Sequence, residues 1–245
     1  MNNHLEQLVS DITRHPALDN HFYRLWAEST LPIEALEVFA RNYGAWTKAF
    51  PDSLAVLVAS TGNLKAKAEY VKTLYSEMGY GNHEKSHSVL LDNFLVALAD
   101  KLGQERRLDR QRLEEEFELL PATRAFIDGQ KELYGRDLQS VGAQLALEWQ
   151  AYTMLRKLYD GARNYMSLWS DPDEFHEACE YFYVHIGEAE KEHKLESLSA
   201  AKEYASDDTS LAQIVAGYER HLNLLADFWE SLHRAMSAFP AARLS

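Results

Sequence analysis

The sequence predicts an all-α fold, and three observations carry that prediction. Apolar residues recur at the 3.6-residue spacing of helices through most of the chain. Long strand-like alternation is absent, and the connections between periodic segments are short. The 11 glycines and 6 prolines leave no linker-like stretch, and no internal repeat is evident. A single helical domain over residues 1–245 is expected, with a disordered tail from about residue 238.

The breaks between segments predict the helices in turn. The first spans about 2–14 and stops before Pro16. The second, near 17–28, carries Phe22, Leu25 and Trp26. Pro32 suits a first helical turn and opens a third helix to about Phe50, and Pro51 opens a separate apolar helix to about Ser60. Asn63 can cap the next one, which runs to about Met78, where Gly79 and Gly81 break the chain. Another helix covers about 83–101. The charged run at 105–118 reads as a solvated helix face or a connector. Beyond it, helices are expected near 121–134, 137–166, 172–205 and 208–236, packed as a compact antiparallel bundle.

Composition narrows the function classes. A hydrophobic fraction of 46% and an aromatic fraction of 11% suit a folded, soluble chain. No apolar run approaches membrane-spanning length. The opening Met-Asn-Asn-His-Leu-Glu lacks the basic and apolar segments of a secretory leader, so a cytoplasmic location is the default expectation. One cysteine, Cys179, cannot build a disulfide framework or a thiolate cluster. The formal charge of −13 repels phosphate backbones and anionic membranes, so neither is an expected partner.

Several acids and histidines interrupt apolar stripes. Val141, Leu145, Tyr152 and Leu155 share a helical face with Glu148 in its middle. A lone buried carboxylate costs several kcal/mol unless it is paired or metal-bound, so Glu148 is either a ligand or half of an ion pair with Arg or Lys. His87 shares a face with Leu90, Leu91, Phe94 and Leu98, as a ligand or as a hydrogen-bonded core histidine. Glu77 precedes it across the glycine break, where a helix end and the next helix start can aim both at one point. His83 lies one turn before His87 and is its spare, and Glu84-x-x-His87 is a Glu-x-x-His pair. In the third cluster, Phe175, Ala178, Phe182 and His185 share a stripe, and Glu190-x-x-His193 forms another such pair. On an ideal helix His185 and Glu190 stand about 140° apart at about 100° per residue. A π-bulge near Gly187 would bring them together; otherwise Glu188 takes the carboxylate role. Carboxylate plus imidazole without cysteine is the donor set of dinuclear iron or manganese sites, with zinc a weaker fit.

These residues, with His21-Phe-Tyr-x-x-Trp26, Tyr43, Lys48-Ala-Phe-Pro51, Asp171-Pro-Asp-Glu-Phe175 and Tyr181-Phe182, resemble the haem-oxygenase-like dinuclear metal oxidases. The likeness covers most of the chain and is strongest to the branch of the chlamydial protein associating with death domains. It implies a bundle of about seven to nine helices that binds two iron ions, or an iron–manganese pair, and no haem. The ligands it implies are Glu77, His87, Glu148, His185, Glu190 and His193. One spacing departs from the family motif, because Ala189 stands where the carboxylate belongs; this keeps Glu188 in play against Glu190. The implied reaction uses dioxygen to oxidise a small amine- or carboxylate-bearing metabolite, with an external electron donor. A homodimer is a further implication. The branch also implies 4-aminobenzoate formation from the protein's own tyrosine. Tyr23 matches that tyrosine, whereas Leu158 falls at the place of the participating lysine with Lys157 beside it. Phe50, Trp149 and Phe182 are candidate pocket aromatics.

Three other readings stand beside this one. A ferritin-like iron protein would pair Glu84-x-x-His87 with Glu190-x-x-His193 and add Glu148, yet its remaining carboxylate has only Asp52 as a candidate. A metal-free relative of thiaminase or quinone-cofactor-synthesis type is the third reading; the thiaminase type needs a nucleophilic cysteine, and Cys179 sits among acids where a low pKa is not expected. A non-catalytic interaction protein is the fourth reading, with no docking surface legible.

Overall fold

The computed structural model describes the backbone of residues 2–186 and 189–243 and the side chains of residues 3–186 and 194–241. Within them the chain is all-α, in more and shorter pieces than the sequence suggests. The helices are α1 (Asn2–Ser10), α2 (His21–Glu28), α3 (Ile33–Ser60), α4 (Leu64–Glu77), α5 (His87–Lys101), α6 (Arg110–Glu116) and α7 (Pro121–Tyr134). They continue as α8 (Asp137–Ala162), α9 (Pro172–Ala178), α10 (Glu180–Ile186), α11 (Ala189–Tyr204) and α12 (Asp208–Met236).

Most of the differences from expectation are local. The first segment ends as α1 with a 3-10 turn at Ile12–Arg14, and the tail of the 137–166 segment is a 3-10 stretch at Arg163–Leu168. The segment 172–205 divides into α9, α10 and α11, the first division falling at Cys179. The separate helix opening at Pro51 is a correction, because α3 runs through it. A proline forfeits one backbone hydrogen bond and crowds the preceding turn. Here Trp46, Ser53, Leu54 and Leu57 are buried on both sides of it, so packing outweighs that loss. The end of the chain also differs from a disordered tail: β2 (Ala242–Arg243) pairs antiparallel with β1 (Ser29–Thr30).

Helices α8 and α12 pack so closely that neither tolerates a β-carbon at the crossing. One at Gly142 would lie 1.8 Å from the Ile214 carbonyl oxygen, and one at Gly217 would lie 2.1 Å from that of Gln139. Around this pair, an aromatic column rises through the core. Trp26, Phe39 and Tyr43 stack in sequence, and Trp229 lies against Phe22, Tyr23 and Tyr43.

The charged run at 105–118 is more than a solvated face. Its Arg107 and Arg112 donate to Glu37, which is only 4% exposed, at 2.6–2.7 Å. Burial opposes the charge on Glu37, but the two guanidiniums hold its carboxyl below the usual range. Arg110 likewise clamps Asp92 at 2.7–2.8 Å and reaches the Gly44 carbonyl. This fixes α6 against α3 and α5, the helix that carries His87. No helix among the described residues is long and apolar enough to cross a membrane.

Candidate metal centre

The turn after α4 sets the geometry of the centre. Gly79, Tyr80 and Gly81 all have positive φ, at 65°, 55° and 89°. A β-carbon at Gly79 would lie 2.5 Å from the Lys85 carbonyl carbon, so the chain can fold back on itself only with glycine there. The reversal leaves Glu77 as the last residue of α4 and His87 as the first of α5. His87 Nδ1 comes within 3.0 Å of Glu77 Oε2. The contact is close but off the line of a hydrogen bond, so the buried Nδ1 has no hydrogen-bond partner.

His185 arrives from α10. Its Nδ1 donates to the Tyr181 carbonyl at 2.7 Å, one helical turn back. In the neutral ring that bond leaves the Nε2 lone pair bare, and Nε2 faces Glu77 Oε1 at 3.8 Å. The rings of His87 and His185 meet edge to face with centroids 4.3 Å apart. One donor atom from each of Glu77, His87 and His185 falls within 4.8 Å of the others. Burial raises the Glu77 carboxyl, but attraction to His87 and His185 in their protonated form outweighs it and holds the group at about 2. Two imidazoles facing a carboxylate inside this cavity are held together by a ring proton or by a bound cation, and the donor chemistry fits iron or manganese.

Glu148 stands on the wall of the same cavity, 6% exposed. Gln144 Nε2 donates to its Oε1 at 2.6 Å, and Tyr134 in turn donates to Gln144 Oε1 at 2.7 Å. This relay from Tyr134 through Gln144 fixes one Glu148 carboxylate oxygen at the cavity wall. The expected Glu188 and the bulge near Gly187 lie outside the described residues, as do the side chains of Glu190 and His193.

The structure corrects the readings of His83 with Glu84, of Trp149 and of Phe182, and it agrees with the expectation for Cys179. His83 and Glu84 sit in an exposed 3-10 turn, His83–Lys85, because the helix starts only at His87. That removes His83 as a spare ligand and removes the Glu84-x-x-His87 pair on which a ferritin-like site depends. Trp149, a residue after Glu148, turns about 100° away on the helix and donates to the Lys194 carbonyl. Phe182 packs on Phe94 and Tyr159 instead of the cavity. Cys179 is fully buried, with its thiol pushed up to about 12 by burial, which suits a core side chain and no nucleophile.

The cavity encloses about 690 Å³, its open mouth included. Phe50 lines it as expected, with Trp46, Leu147, Met154 and Leu155 as its apolar wall. None of its described lining residues is Lys or Arg. One lining residue escaped the sequence reading. Gln150 is 0% exposed, and neither its Nε2 nor its Oε1 has a hydrogen-bond partner. A glutamine two residues from Glu148 carries no signal in a single sequence; only the cavity reveals it.

Tyr23 lies one aromatic layer behind this wall. The Tyr181 hydroxyl meets that of Tyr43 at 2.7 Å, Tyr43 stacks on Trp229, and Trp229 lies 5.1 Å from the Tyr23 ring. The Tyr23 hydroxyl is buried without a partner. Burial first, then the neighbouring Tyr43, raises its pKa well above the ordinary value, and the Trp229 N–H offsets little of this. Lys157 Nζ sits 5.1 Å over the Tyr23 ring and donates to the Leu18 carbonyl at 2.8 Å.

The chain is similar to several known proteins. Residues 37–226 match the family model described as iron-containing redox enzyme, a span that includes the three clustered residues and Glu148 but not Tyr23. A 4-aminobenzoate synthase of Chlamydia muridarum is 33% identical over 82 residues, covering 33% of this chain and 35% of that protein. One from Chlamydia pneumoniae is 31% identical over 84 residues, 34% of this chain and 38% of that protein. The chain thus spans about a third of the length of the curated relatives it matches. Among solved structures, a CADD-like protein of unknown function from Nostoc punctiforme superposes with a TM-score of 0.66 at 17% identity, over 95% of this chain and 97% of that one. A TenA homolog from Pseudomonas syringae gives 0.67 at 13% identity, over 94% and 92%. At these identities the likeness is one of fold.

Proposed function

This chain belongs to the iron-containing redox enzyme family, and on that premise we propose that it is a non-haem dinuclear iron, or iron–manganese, oxygenase that acts with dioxygen on a small molecule. The observation that carries the proposal is the Glu77–His87–His185 cluster, with its unpartnered imidazole nitrogen and ionised carboxylate inside an apolar cavity. Glu77, His87, His185 and Glu148 would hold metal, joined by Glu190 and His193. When bound, the ions supply electrons to dioxygen and oxidising power to whatever lies beside them.

The protein's own residues do the rest. The Tyr181 carbonyl fixes the His185 tautomer, and Gln144 holds Glu148 toward the cavity. Trp46, Phe50, Met154 and Leu155 exclude water from the substrate space. Gln150 offers a donor and an acceptor with no other partner, which suits a substrate polar group. With no Lys or Arg among the described lining residues, a substrate carboxylate would have only the metal ions as counter-charge. That favours an amine or other uncharged polar group at the Gln150 end.

One observation favours a finer reading, in which Tyr23 is itself the substrate. The Lys157 ammonium sits over the Tyr23 ring, and Trp229 and Tyr43 link that ring to Tyr181 at the cavity. On this reading the chain forms 4-aminobenzoate, the product for which its Chlamydia relatives are named.

The test is anaerobic loading with ferrous iron, alone and with manganous ion, followed by elemental analysis and oxygen uptake. We expect about two ions per chain, a lower content in Glu77→Gln and His87→Ala, and oxygen consumption that follows metal content. A wild-type chain that holds no iron overturns the proposal. Mass spectrometry then separates the two substrates. If Tyr23 is consumed, 4-aminobenzoate appears and Tyr23→Phe abolishes it while keeping its metal. If the Tyr23 peptide stays intact through turnover, the free-substrate reading holds.

A further inference from the structure

A second group of metal-ligating side chains lies at the surface, away from the cavity. We propose that His21, Glu230 and His233 form a peripheral site for a zinc-class divalent ion that staples α2 to α12. One donor atom from each falls within 4.8 Å of the others. His21 is the first residue of α2, placed by Asn20, whose side chain caps that helix by accepting from the Tyr23 N–H at 3.2 Å. Glu230 and His233 stand three residues apart on α12 and so share a face.

The contacts leave the donors available. His21 Nδ1 and Glu230 Oε2 are 3.8 Å apart, too far for a hydrogen bond. The two imidazole rings stack with centroids 5.3 Å apart and 29° between their planes. His233 Nδ1 is buried with no hydrogen-bond partner. Arg234 approaches Glu230 only through the other carboxylate oxygen, at 3.9 Å. Donors on a tetrahedral zinc stand about 3.3 Å apart at bond lengths of about 2.0–2.1 Å. Closing the remaining gap needs a side-chain rotation of His21, which is 65% exposed and free to make it. Three protein donors with water in the fourth position complete the shell.

The donors of the two clusters are alike, two imidazoles and one carboxylate each, and it is exposure that separates this site from the buried one. At an open surface such a set binds zinc or copper more tightly than ferrous or manganous ions. The staple has a structural meaning as well. His21 lies two residues before Tyr23, and Glu230 follows Trp229 directly, so the ion would tie together the two helices that hold those two rings in contact.

The test uses the full chain, free of metal, titrated with zinc. Zinc at the buried centre is set aside by repeating it in Glu77→Gln/His87→Ala. Diethylpyrocarbonate modification, read by mass spectrometry residue by residue, reports the site directly. In both backgrounds we expect zinc at tenfold its dissociation constant to slow modification of His21 about tenfold and to raise the melting temperature. His233→Ala should abolish both effects and remove one zinc equivalent, with iron loading of the buried centre unchanged. His233→Gln keeps the bulk of the ring and should behave like the alanine variant, which separates lost ligation from lost packing. The proposal is overturned if saturating zinc leaves the reactivity of His21 unaltered, or if both His233 variants bind as much zinc as the wild type.

Discussion

Gln150 and His221 are buried polar residues that the fold does not satisfy, and they make opposite predictions. An unpaired buried polar group costs about 1–3 kcal/mol, so a core that keeps one is giving up stability. Gln150 faces the cavity, where a substrate can repay the loss. Replacing it with Met, of similar length and with nothing to satisfy, should raise the unfolding free energy by about 1–2 kcal/mol while weakening substrate affinity about tenfold or more. Chemical denaturation and steady-state KM on the same preparation check both halves; a variant that loses stability marks Gln150 as a structural residue. His221 is 0% exposed, both ring nitrogens lack partners, and it lies against Phe126. Burial lowers its pKa to about 3, from 6.5. Between those values the unfolded chain binds a proton that the folded chain refuses, so stability falls as the pH drops below about 6.5. The loss reaches about 3 kcal/mol near pH 4. His221→Leu should flatten this part of the stability–pH curve. An unchanged slope between pH 7 and 4 would show that other groups set the acid sensitivity. Composition and periodicity foretold neither residue's situation, because burial of a single Gln or His depends on which neighbours the tertiary packing supplies.

At the level of elements, the joint between α4 and α5 decides whether a metal centre forms. Gly79→Ala forces a positive-φ backbone onto a residue with a side chain and sets its β-carbon against Lys85. The cost is about 1–2 kcal/mol of strain before any shift of the turn. We expect a folded protein with unchanged helical circular dichroism and a metal content well below the wild type, because Glu77 and His87 part when the turn opens. Full metal content in this variant would mean that the centre assembles without the tight reversal. The two glycines were legible from the sequence as a break, and so was the idea that a helix end and a helix start could aim Glu77 and His87 at one point. The start of α5 was not. A helix beginning at His87 and a longer one beginning near residue 83 share the same apolar stripe, and the 3-10 turn between them leaves no pattern in the sequence. The same limit explains Pro51. A proline between two apolar segments reads as a boundary, and only the burial of Leu54 and Leu57 against other helices shows that one helix continues through it.

Across the whole molecule, the candidate ligands come from separate elements that meet only in the folded state: Glu77 from α4, His87 from α5, Glu148 from α8 and His185 from α10. The all-α class and the main ligand candidates could be read from periodicity and from polar residues inside apolar stripes, since burial of a carboxylate or imidazole is a sequence-level anomaly. Their convergence could not, because it depends on how the backbones of α8 and α12 close together at Gly142 and Gly217 and on which faces that turns inward. An ion bound to all of these elements stabilises the native state alone, by an amount that grows with the logarithm of its concentration over the dissociation constant. A centre with metal at about a thousandfold its dissociation constant adds about 4 kcal/mol. Chelation should therefore lower the melting temperature, and hydrogen exchange should locate the effect. Exchange should quicken most in the Gly79–Gly81 turn, the first turn of α5 and α10, where facing ligands lose the cation that holds them together. The crossing of α8 and α12 should change least, because backbone contact and apolar burial hold it without an ion. Uniform acceleration across the bundle would instead mean that the ion supports the fold globally, and no acceleration at the turn would remove Glu77 and His87 from the ligand set.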